Sequence, residues 1–231
     1  MTPSYRSALI VGAGDGLSAS LARLFARDGM SVTLAARNIG KLEKLAAETG
    51  ASTLACDASK PAEVAALFNT LDKQGAPDVV CYNASGRVRG PLIELDPEAV
   101  AQSLGVTAFG AFLVAREAAR RMLQKSHGAI LFTGASAGVK GYPRSAPFAM
   151  GKFALRGLAQ SMARELHPQG IHVAHFVIDG AIRNPGRAEP LERPDSMLDP
   201  DAIARAYRDV LRQDRSAWSW EVEVRPWVET F

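Results

Sequence analysis

Three glycines near the start of the chain have a spacing typical of turns that bind phosphate. They are Gly12, Gly14 and Gly16, in the segment 11–18 (VGAGDGLS). Glycine lets the backbone turn sharply and approach a ligand closely, and the free N–H groups at the start of a following helix attract a pyrophosphate. Leu17 occupies the third position of a G-x-G-x-x-G pattern, whereas positions 12 and 16 fit G-x-x-x-G. We interpret the segment as a dinucleotide-binding turn, with ordinary turn chemistry as the alternative.

Two charged residues further along bear on the identity of the dinucleotide. Enzymes that use NAD usually carry an acidic residue after the second strand, and an arginine there accommodates the additional phosphate of NADP. Here Ala36 is followed by Arg37, which favours NADP over NAD unless Arg37 is simply a solvated residue at a helix start. Asp57 would either accept a hydrogen bond from an adenine amino group or cap the next helix. The sequence leaves both roles of Asp57 open.

The elements that would position these residues alternate between strands and helices. Short apolar runs alternate with longer stretches whose apolar residues have helical spacing. The predicted strands are 8–11, 31–36, 51–56, 78–82, 129–133, 172–178 and 218–224, and the predicted helices are 17–27, 39–49, 61–73, 97–124 (one helix or two abutting ones), 148–166 and 201–212. Continuously apolar strands joined by helices indicate a parallel sheet covered on both faces. We therefore predict one doubly wound α/β domain over residues 1–231.

Composition excludes several classes of protein. The 231 residues include 27 Lys plus Arg and 24 Asp plus Glu, a net charge of +3 that is too small for an electrostatic nucleic-acid binder. The two cysteines, Cys56 and Cys81, form no CxxC pair and suggest no disulfide framework. No uninterrupted apolar run reaches the ~20 residues of a membrane span, and the N-terminal apolar stretch is too short for a signal peptide. We expect a cytoplasmic protein that binds neither nucleic acid nor membrane.

Two segments and one histidine group need separate interpretation. The proline-rich segment 183–200 is typical of a lid or binding loop, and the aromatic segment 218–231 predicts a last strand followed by an inter-subunit contact. His167, His172 and His175 are close in the sequence, but no cysteine or carboxylate stands at ligand spacing. We predict no metal site.

Several motifs together resemble the short-chain dehydrogenase/reductase family over almost the whole chain. They are GAGDG in the first turn, Asp57, YNASG (82–86), GAILFTGASAG (128–138) and FAMGKFALRGLAQSMARELHPQGIHV (148–173). The resemblance implies a Rossmann-type sheet of about seven strands, NAD(P)(H), hydride transfer between a carbonyl and an alcohol, and homodimers or homotetramers. It implies that the cofactor is bound by Gly12, Gly14, Asp15, Gly16, Leu17, Arg37, Asp57, Asn83 and Lys152.

The catalytic group that the resemblance implies is largely absent. Family members carry a Tyr-x-x-x-Lys pair on one helix, a serine thirteen residues before the tyrosine, and an asparagine on the preceding long helix. Lys152 matches the lysine, but Phe148, Ala135 and Thr107 stand at the tyrosine, serine and asparagine positions. Phenylalanine has no proton to donate, and the loss of a positioned general acid typically costs about 10²- to 10⁴-fold in rate. The sequence thus supports cofactor binding better than conventional catalysis.

Three neighbouring residues are candidates to replace the missing groups. Ser136 lies one residue past the serine position, where a slip in the loop would bring its hydroxyl into the site unless it faces away. Tyr142 lies six residues before Phe148 and would either contact the substrate oxygen or form an apolar wall. Lys152 would either donate a proton or bind the cofactor ribose, and we favour the ribose.

Two functions follow from these observations. The one we favour is an NADP(H)-dependent oxidoreductase that acts on a small carbonyl or alcohol substrate with an altered proton donor. The alternative is an NADP(H)-binding protein of the same fold that has lost redox turnover and acts as a sensor or partner protein. Because fold alone does not determine chemistry, the residues of the site must decide between them.

Overall fold

The computed structural model describes residues 4–229, in which nine strands are present. They are β1 (Ser7–Val11), β2 (Ser31–Ala36), β3 (Ser52–Ala55), β4 (Val79–Tyr82), β5 (Gly128–Thr133), β6 (Ile171–Ile178), β7 (Ala181–Ile182), β8 (Met197–Leu198) and β9 (Glu221–Val224). Seven of them form a parallel sheet in the order β3-β2-β1-β4-β5-β6-β9. The winding reverses direction between β1 and β4, which confirms the predicted doubly wound Rossmann-type fold and locates its ligand-binding crevice.

Helices cover both faces of this sheet. They are α1 (Leu17–Arg27), α2 (Glu43–Thr49), α3 (Pro61–Asp72), α4 (Pro97–Leu104), α5 (Gly110–Leu123), α6 (Ala146–Leu166) and α7 (Pro200–Leu211). Alternate side chains of the strands point to opposite faces, so that Ala8 and Ile10 of β1 pack with α1, α2 and α7, while Leu9 and Val11 pack with α3, α5 and α6. The two resulting cores hold the carboxyl ends of the central strands in fixed positions.

The long helix predicted over 97–124 is interrupted by a π-helical turn. The Asp96 side chain accepts hydrogen bonds from the N–H groups of Glu98 and Ala99, and Pro97 starts α4. The π-helical turn Gly105–Phe109 then joins α4 to α5 without a break. Such turns are frequent at functional sites, and this one carries Thr107.

The helical stretch Pro97–Leu123 is long and apolar enough, by length and composition alone, to cross a membrane. In the fold it packs against α3 and α6. Its residues Ala111, Val114, Ala118 and Met122 are buried in the core. One face of this helical stretch therefore packs in the core of the domain.

Two predicted segments differ from the structure. The strand predicted over 218–224 begins only at Glu221, because Arg215–Ala217 form a turn and the backbone N–H and side chain of Ser219 bond to the Gln213 side chain. Residues 230–231 of the predicted tail lie outside the described range. The segment 183–200 is less irregular than expected, since β7 and β8 pair across it and Arg183 forms an ion pair with Asp199 at 2.8 Å.

Candidate active site

The glycine turn lies at the carboxyl end of β1 and requires glycine at its first position. Gly12 has φ +82°, and a Cβ added to it would lie 2.4 Å from the backbone nitrogen of Ala84. The N–H groups of Gly12 and Ala13 both donate to the carbonyl of Ala35, at 2.9 and 3.1 Å. The ends of β1, β2 and β4 thus meet at Gly12 with no side chain between them. We call the space beside Gly12, which an added Cβ would fill, the cradle.

Asn83 supports this turn from the end of β4. Its side-chain amide donates to the Ser18 hydroxyl at 2.6 Å, and Ser18 in turn donates to the Gly12 carbonyl at 3.2 Å. The Asn83 backbone N–H also bonds the Val11 carbonyl at 2.8 Å. Asn83 therefore positions the turn, and Ser18 is a member of the site that sequence reasoning missed.

A cleft of about 320 Å³ opens beside the turn, between the ends of β1, β2, β3 and β4. Its lining includes Gly12, Arg37, Lys41, Asp57 and Asn83. Arg37 is exposed on one wall. A groove at the switch point with a close backbone approach fits a dinucleotide, and Arg37 and Lys41 place two cations on its wall.

Asp57 combines a turn role with a place in this cleft. One carboxylate oxygen accepts hydrogen bonds from the Ser59 N–H at 3.0 Å and from the Ser59 hydroxyl at 2.7 Å. These bonds, with weaker help from the charges of Arg37 and Lys60, lower the pKa of Asp57. The carboxylate holds the loop before α3 and remains part of the cleft wall.

The remaining residues predicted to bind cofactor have different surroundings. Gly14 has open space beside it, with only the Lys41 ammonium 3.9 Å from the position of an added Cβ. Gly16 precedes the first turn of α1, and Leu17 is buried in the core, so that Leu17 offers only its backbone. Asp15 is exposed and lines a neighbouring cleft beneath the segment 183–200, whose Asn184 reaches Gly16.

Lys152 lies beneath the surface beside the carboxyl end of β5. Its side chain is 3% exposed, and its ammonium donates to the Thr133 carbonyl at 2.7 Å. Burial lowers the pKa of Lys152 to about 8. On α6, Lys152 lies one helical turn after Phe148. The Lys152 nitrogen is 5.7 Å from the centre of the Phe148 ring.

The residues at the predicted tyrosine, asparagine and serine positions either contact other groups or have no polar side chain. The Phe148 ring lies between Lys152 and Arg87, whose guanidinium carbon is 5.1 Å from the ring centre. The Thr107 hydroxyl accepts a hydrogen bond from the Gly86 N–H at 2.9 Å and is 1% exposed. Ala135 has no polar side-chain atom. None of these three side chains offers a free hydroxyl to a substrate.

The structure instead brings Tyr142 and Ser136 together. The Tyr142 phenol donates to the Ser136 hydroxyl at 2.9 Å, and Tyr142 is 39% exposed. The Lys140 ammonium lies 5.8 Å from the centre of the Tyr142 ring. Ser136 therefore does not turn away from the phenol, and the two hydroxyls form a pair that a small molecule can reach. Their catalytic role stays a prediction.

The three histidines are used within the fold. The rings of His167 and His172 meet edge to face at 5.5 Å, and His172 stacks on Trp218 at 4.5 Å. His175 hydrogen bonds to the Glu221 carboxylate at 3.1 Å. Over residues 4–229, no group of three His, Cys, Asp or Glu side chains is arranged to hold a metal ion.

Comparison with known proteins places this site in a family. A sequence model of the short chain dehydrogenase family matches residues 6–188. The chain belongs to this family. Among curated short-chain dehydrogenases, it is similar to (+)-borneol dehydrogenase 1 of Salvia officinalis, with 34% identity over 171 residues, or 71% of the chain and 65% of that protein. Matched segments span 55% to 65% of the length of three curated relatives.

Solved structures of short-chain dehydrogenases match over almost the full chain. A short-chain dehydrogenase from Rhodopseudomonas palustris is 36% identical with a TM-score of 0.83, over 97% of this chain and all of that one. A metagenomic short-chain oxidoreductase in complex with NADP is 27% identical with a TM-score of 0.84, over 99% of this chain and all of that one. The fold and the position of the crevice are therefore those of the short-chain dehydrogenases.

Sequence reasoning missed three residues of this short-chain dehydrogenase. Lys41 is four residues after Arg37, but the predicted helix contains only Lys41. The spacing therefore did not indicate that the two side chains share a cleft. Ser18 lies two residues past the last glycine of the turn, and Arg87 directly follows the YNASG motif. No local pattern marks the last two, because their partners are distant in the sequence.

Proposed function

We propose that the protein is an NADP(H)-dependent oxidoreductase that interconverts a carbonyl compound and its alcohol. The preference for NADP(H) is supported by Arg37 and Lys41, two cations on the wall of the cleft beside the glycine turn. Within that cleft, Asp57 is the acidic residue, and its carboxylate is occupied by Ser59. The NADP complex of a similar protein agrees with this choice.

The pair Tyr142–Ser136 carries the chemical part of the proposal. When bound, NADPH supplies the hydride that reduces the carbonyl carbon. Tyr142 transfers its phenolic proton to the carbonyl oxygen, which becomes the alcohol hydroxyl, and the Ser136 hydroxyl donates a hydrogen bond to the same oxygen and keeps its proton. The nearby Lys140 ammonium stabilises the phenolate that remains. Because Tyr142 is partly exposed, solvent returns the proton.

Lys152 has a positioning role in this scheme. One of its three N–H groups is committed to the Thr133 carbonyl, and its side chain is sealed from solvent. The others remain available for the ribose of the nicotinamide side of the cofactor. The buried Lys152 ammonium exchanges its proton with solvent less readily than the exposed Tyr142 phenol.

The proposal includes a small-molecule substrate, a cytoplasmic location and a homo-oligomeric assembly. Phe109, Phe112, Met150 and Phe153 leave large apolar side chains exposed along α5 and α6 and the turn between α4 and α5. Exposed apolar patches of this kind typically mark protein interfaces. We therefore expect a homodimer or homotetramer packed through these helices.

The decisive experiment measures NADPH oxidation over a panel of aldehydes, ketones and quinones. Tyr142→Phe should lower kcat by about 10²- to 10⁴-fold, because it removes the general acid, while NADPH binding measured by fluorescence persists. Tyr5→Phe is the matched control, since Tyr5 stacks on His127 at the amino ends of β1 and β5, opposite the carboxyl ends that carry the crevice. Full activity in Tyr142→Phe would exclude this donor.

A second candidate, a cofactor-binding protein without redox turnover, is favoured by the occupied catalytic positions. Thr107 is committed to Gly86, and the Phe148 ring is held between two cations. In that case the wild-type protein would bind NADPH and leave every substrate unreduced. Phe148→Tyr combined with Ala135→Ser would then restore turnover, which distinguishes a lapsed enzyme from one with a different donor.

A further inference from the structure

Two arginines approach the start of α6 from the loop that follows β4. The Arg87 guanidinium lies over the face of the Phe148 ring, 5.1 Å from its centre. Arg89 donates from Nε to the hydroxyl of Ser145, at 3.3 Å, immediately before α6. The same loop is held in place where the Gly90 N–H donates to the Arg144 carbonyl at 3.1 Å. Both guanidinium groups therefore lie beside the start of α6.

Arg87 and Arg89 lack a carboxylate partner within the described residues, unlike several other arginines of the fold. Arg23, Arg121 and Arg156 each bind a carboxylate through two nitrogens. Across the described part of the chain, Arg87, Arg89 and Arg187 form no ion pair within 4.0 Å.

Arg89 and Arg187 lie close enough to Arg87 for their charges to act on it, and we call these three residues the arginine cluster. Partial desolvation lowers the pKa of Arg87, and the charges of Arg89 and Arg187 lower it further. All three arginines are exposed, so an anion from solution can reach their guanidinium groups.

We propose that the arginine cluster binds an anionic group of the substrate, a carboxylate or a phosphate, with Arg87 as the principal contact. This inference rests on the proposed function, because it assigns the substrate class of the same site. A guanidinium group can bind either anion in a bidentate manner, because it presents two parallel N–H donors. Phe148, in the place of a polar side chain, gives the Arg87 guanidinium an aromatic face to lie on.

Arg87, the principal contact of the cluster, is separate from the groups that would hold the cofactor phosphates, whereas Arg187 lines the neighbouring cleft together with Lys41. Arg37 and Lys41 line the cleft beside the glycine turn, with Asp57 and Asn83. Arg87 is instead against Phe148, one turn from Lys152 on α6. An anion bound at Arg87 is therefore expected to bind the NADP-saturated protein as well.

The first test compares carbonyl substrates that differ only in charge. 4-Carboxybenzaldehyde and 4-formylphenyl phosphate are each compared with the neutral methyl 4-formylbenzoate, as ratios of kcat/KM. Arg87→Gln should lower the preference for the anionic substrate by about 10- to 100-fold, the usual effect of losing a hydrogen bond to a charged group. The substrate whose preference falls more identifies carboxylate or phosphate as the preferred anion.

Matched variants separate charge from structure. Arg164→Gln removes the same charge from an exposed position on α6, sixteen residues or about 24 Å along the helix from Phe148, and should leave the ratio unchanged. Arg87→Lys keeps the charge and should retain part of the preference. Thermal unfolding of each variant shows whether it is folded. An unchanged ratio in a folded Arg87→Gln protein would overturn the proposal.

A binding measurement keeps this inference distinct from the proposed function. 4-Methylbenzoate and phenyl phosphate have no reducible carbonyl, and calorimetric titration of them into NADP-saturated protein reports the anion site alone. Binding that is lost in Arg87→Gln, with no turnover of any aldehyde, would support the anion site and refute the redox function. Turnover without Arg87-dependent anion binding would do the opposite. Weaker NADP binding in Arg87→Gln, with anion binding intact, would also overturn the proposal.

Discussion

Replacing Lys152 with methionine should make the folded protein more stable while weakening its hold on the cofactor. The ammonium group is almost completely buried, and the Thr133 carbonyl is its hydrogen-bond partner. Burial lowers the pKa of Lys152 from 10.5 to about 8. Carrying this charge into the core costs free energy that an uncharged side chain of similar length does not.

The magnitude follows from the pKa shift. A displacement of about 2.5 units corresponds to roughly 3 kcal/mol of unfolding free energy. Lys152→Met also removes the hydrogen bond to the Thr133 carbonyl, which lowers the free energy of unfolding by about 1 kcal/mol. We therefore expect Lys152→Met to be about 2 kcal/mol more stable than wild type at pH 7.

The sign of the pH dependence is also determined. Between pH 8 and 10.5 the unfolded chain binds more protons at Lys152 than the folded chain, because the folded-state pKa is the lower one. The stability contributed by this residue therefore rises with pH in that window, and below pH 8 the full cost applies. The advantage of Lys152→Met should shrink to about zero by pH 10.

Chemical denaturation at several pH values between 7 and 10 measures this difference directly. Subtracting the wild-type curve removes the titration of all other groups that the two proteins share. Lys44→Met is the control, because Lys44 is exposed and its replacement should change stability by less than about 0.5 kcal/mol at any pH. A destabilised Lys152→Met, or a difference that does not change with pH, would refute the reasoning.

Three more predictions concern the cofactor cleft and the buried histidines. Gly12→Ala should abolish NADPH binding, measured by fluorescence, because the new Cβ meets Ala84 at 2.4 Å and φ is +82°; retained affinity would contradict the cradle. Arg37→Ala and Lys41→Ala should each raise the Kd for NADPH by about tenfold and leave that for NADH unchanged, since each removes a charged contact to the phosphate. Burial lowers the pKa of His172 to about 4, so the free energy of unfolding should fall as the pH drops from 6.5 to 4. His172→Phe should reduce this dependence of the unfolding free energy on pH by up to about 1.4 kcal/mol per pH unit, as measured by urea titration.

The sequence alone determined the fold and the location of the crevice. Alternating apolar runs and helical stretches are local patterns, and parallel strands joined by helices wind in one hand only. The glycine turn was also readable, because its first position needs a conformation that other residues rarely adopt. Outside the π-helical interruption, helix bounds agreed to within two residues, as at α6, which begins at Ala146 instead of 148, except at α2, which begins at Glu43 instead of 39.

Only the tertiary structure decided which polar groups share the site. The bond between Tyr142 and Ser136, the burial of Lys152 beneath Phe148, and the approach of Arg87 to that ring depend on how loops from three strands fold over one helix. The late start of β9 likewise depends on bonds between Gln213 and Ser219. Such contacts join residues by the geometry of the loops, which no local periodicity encodes, whereas the helices and strands that carry the loops follow from the order of apolar residues.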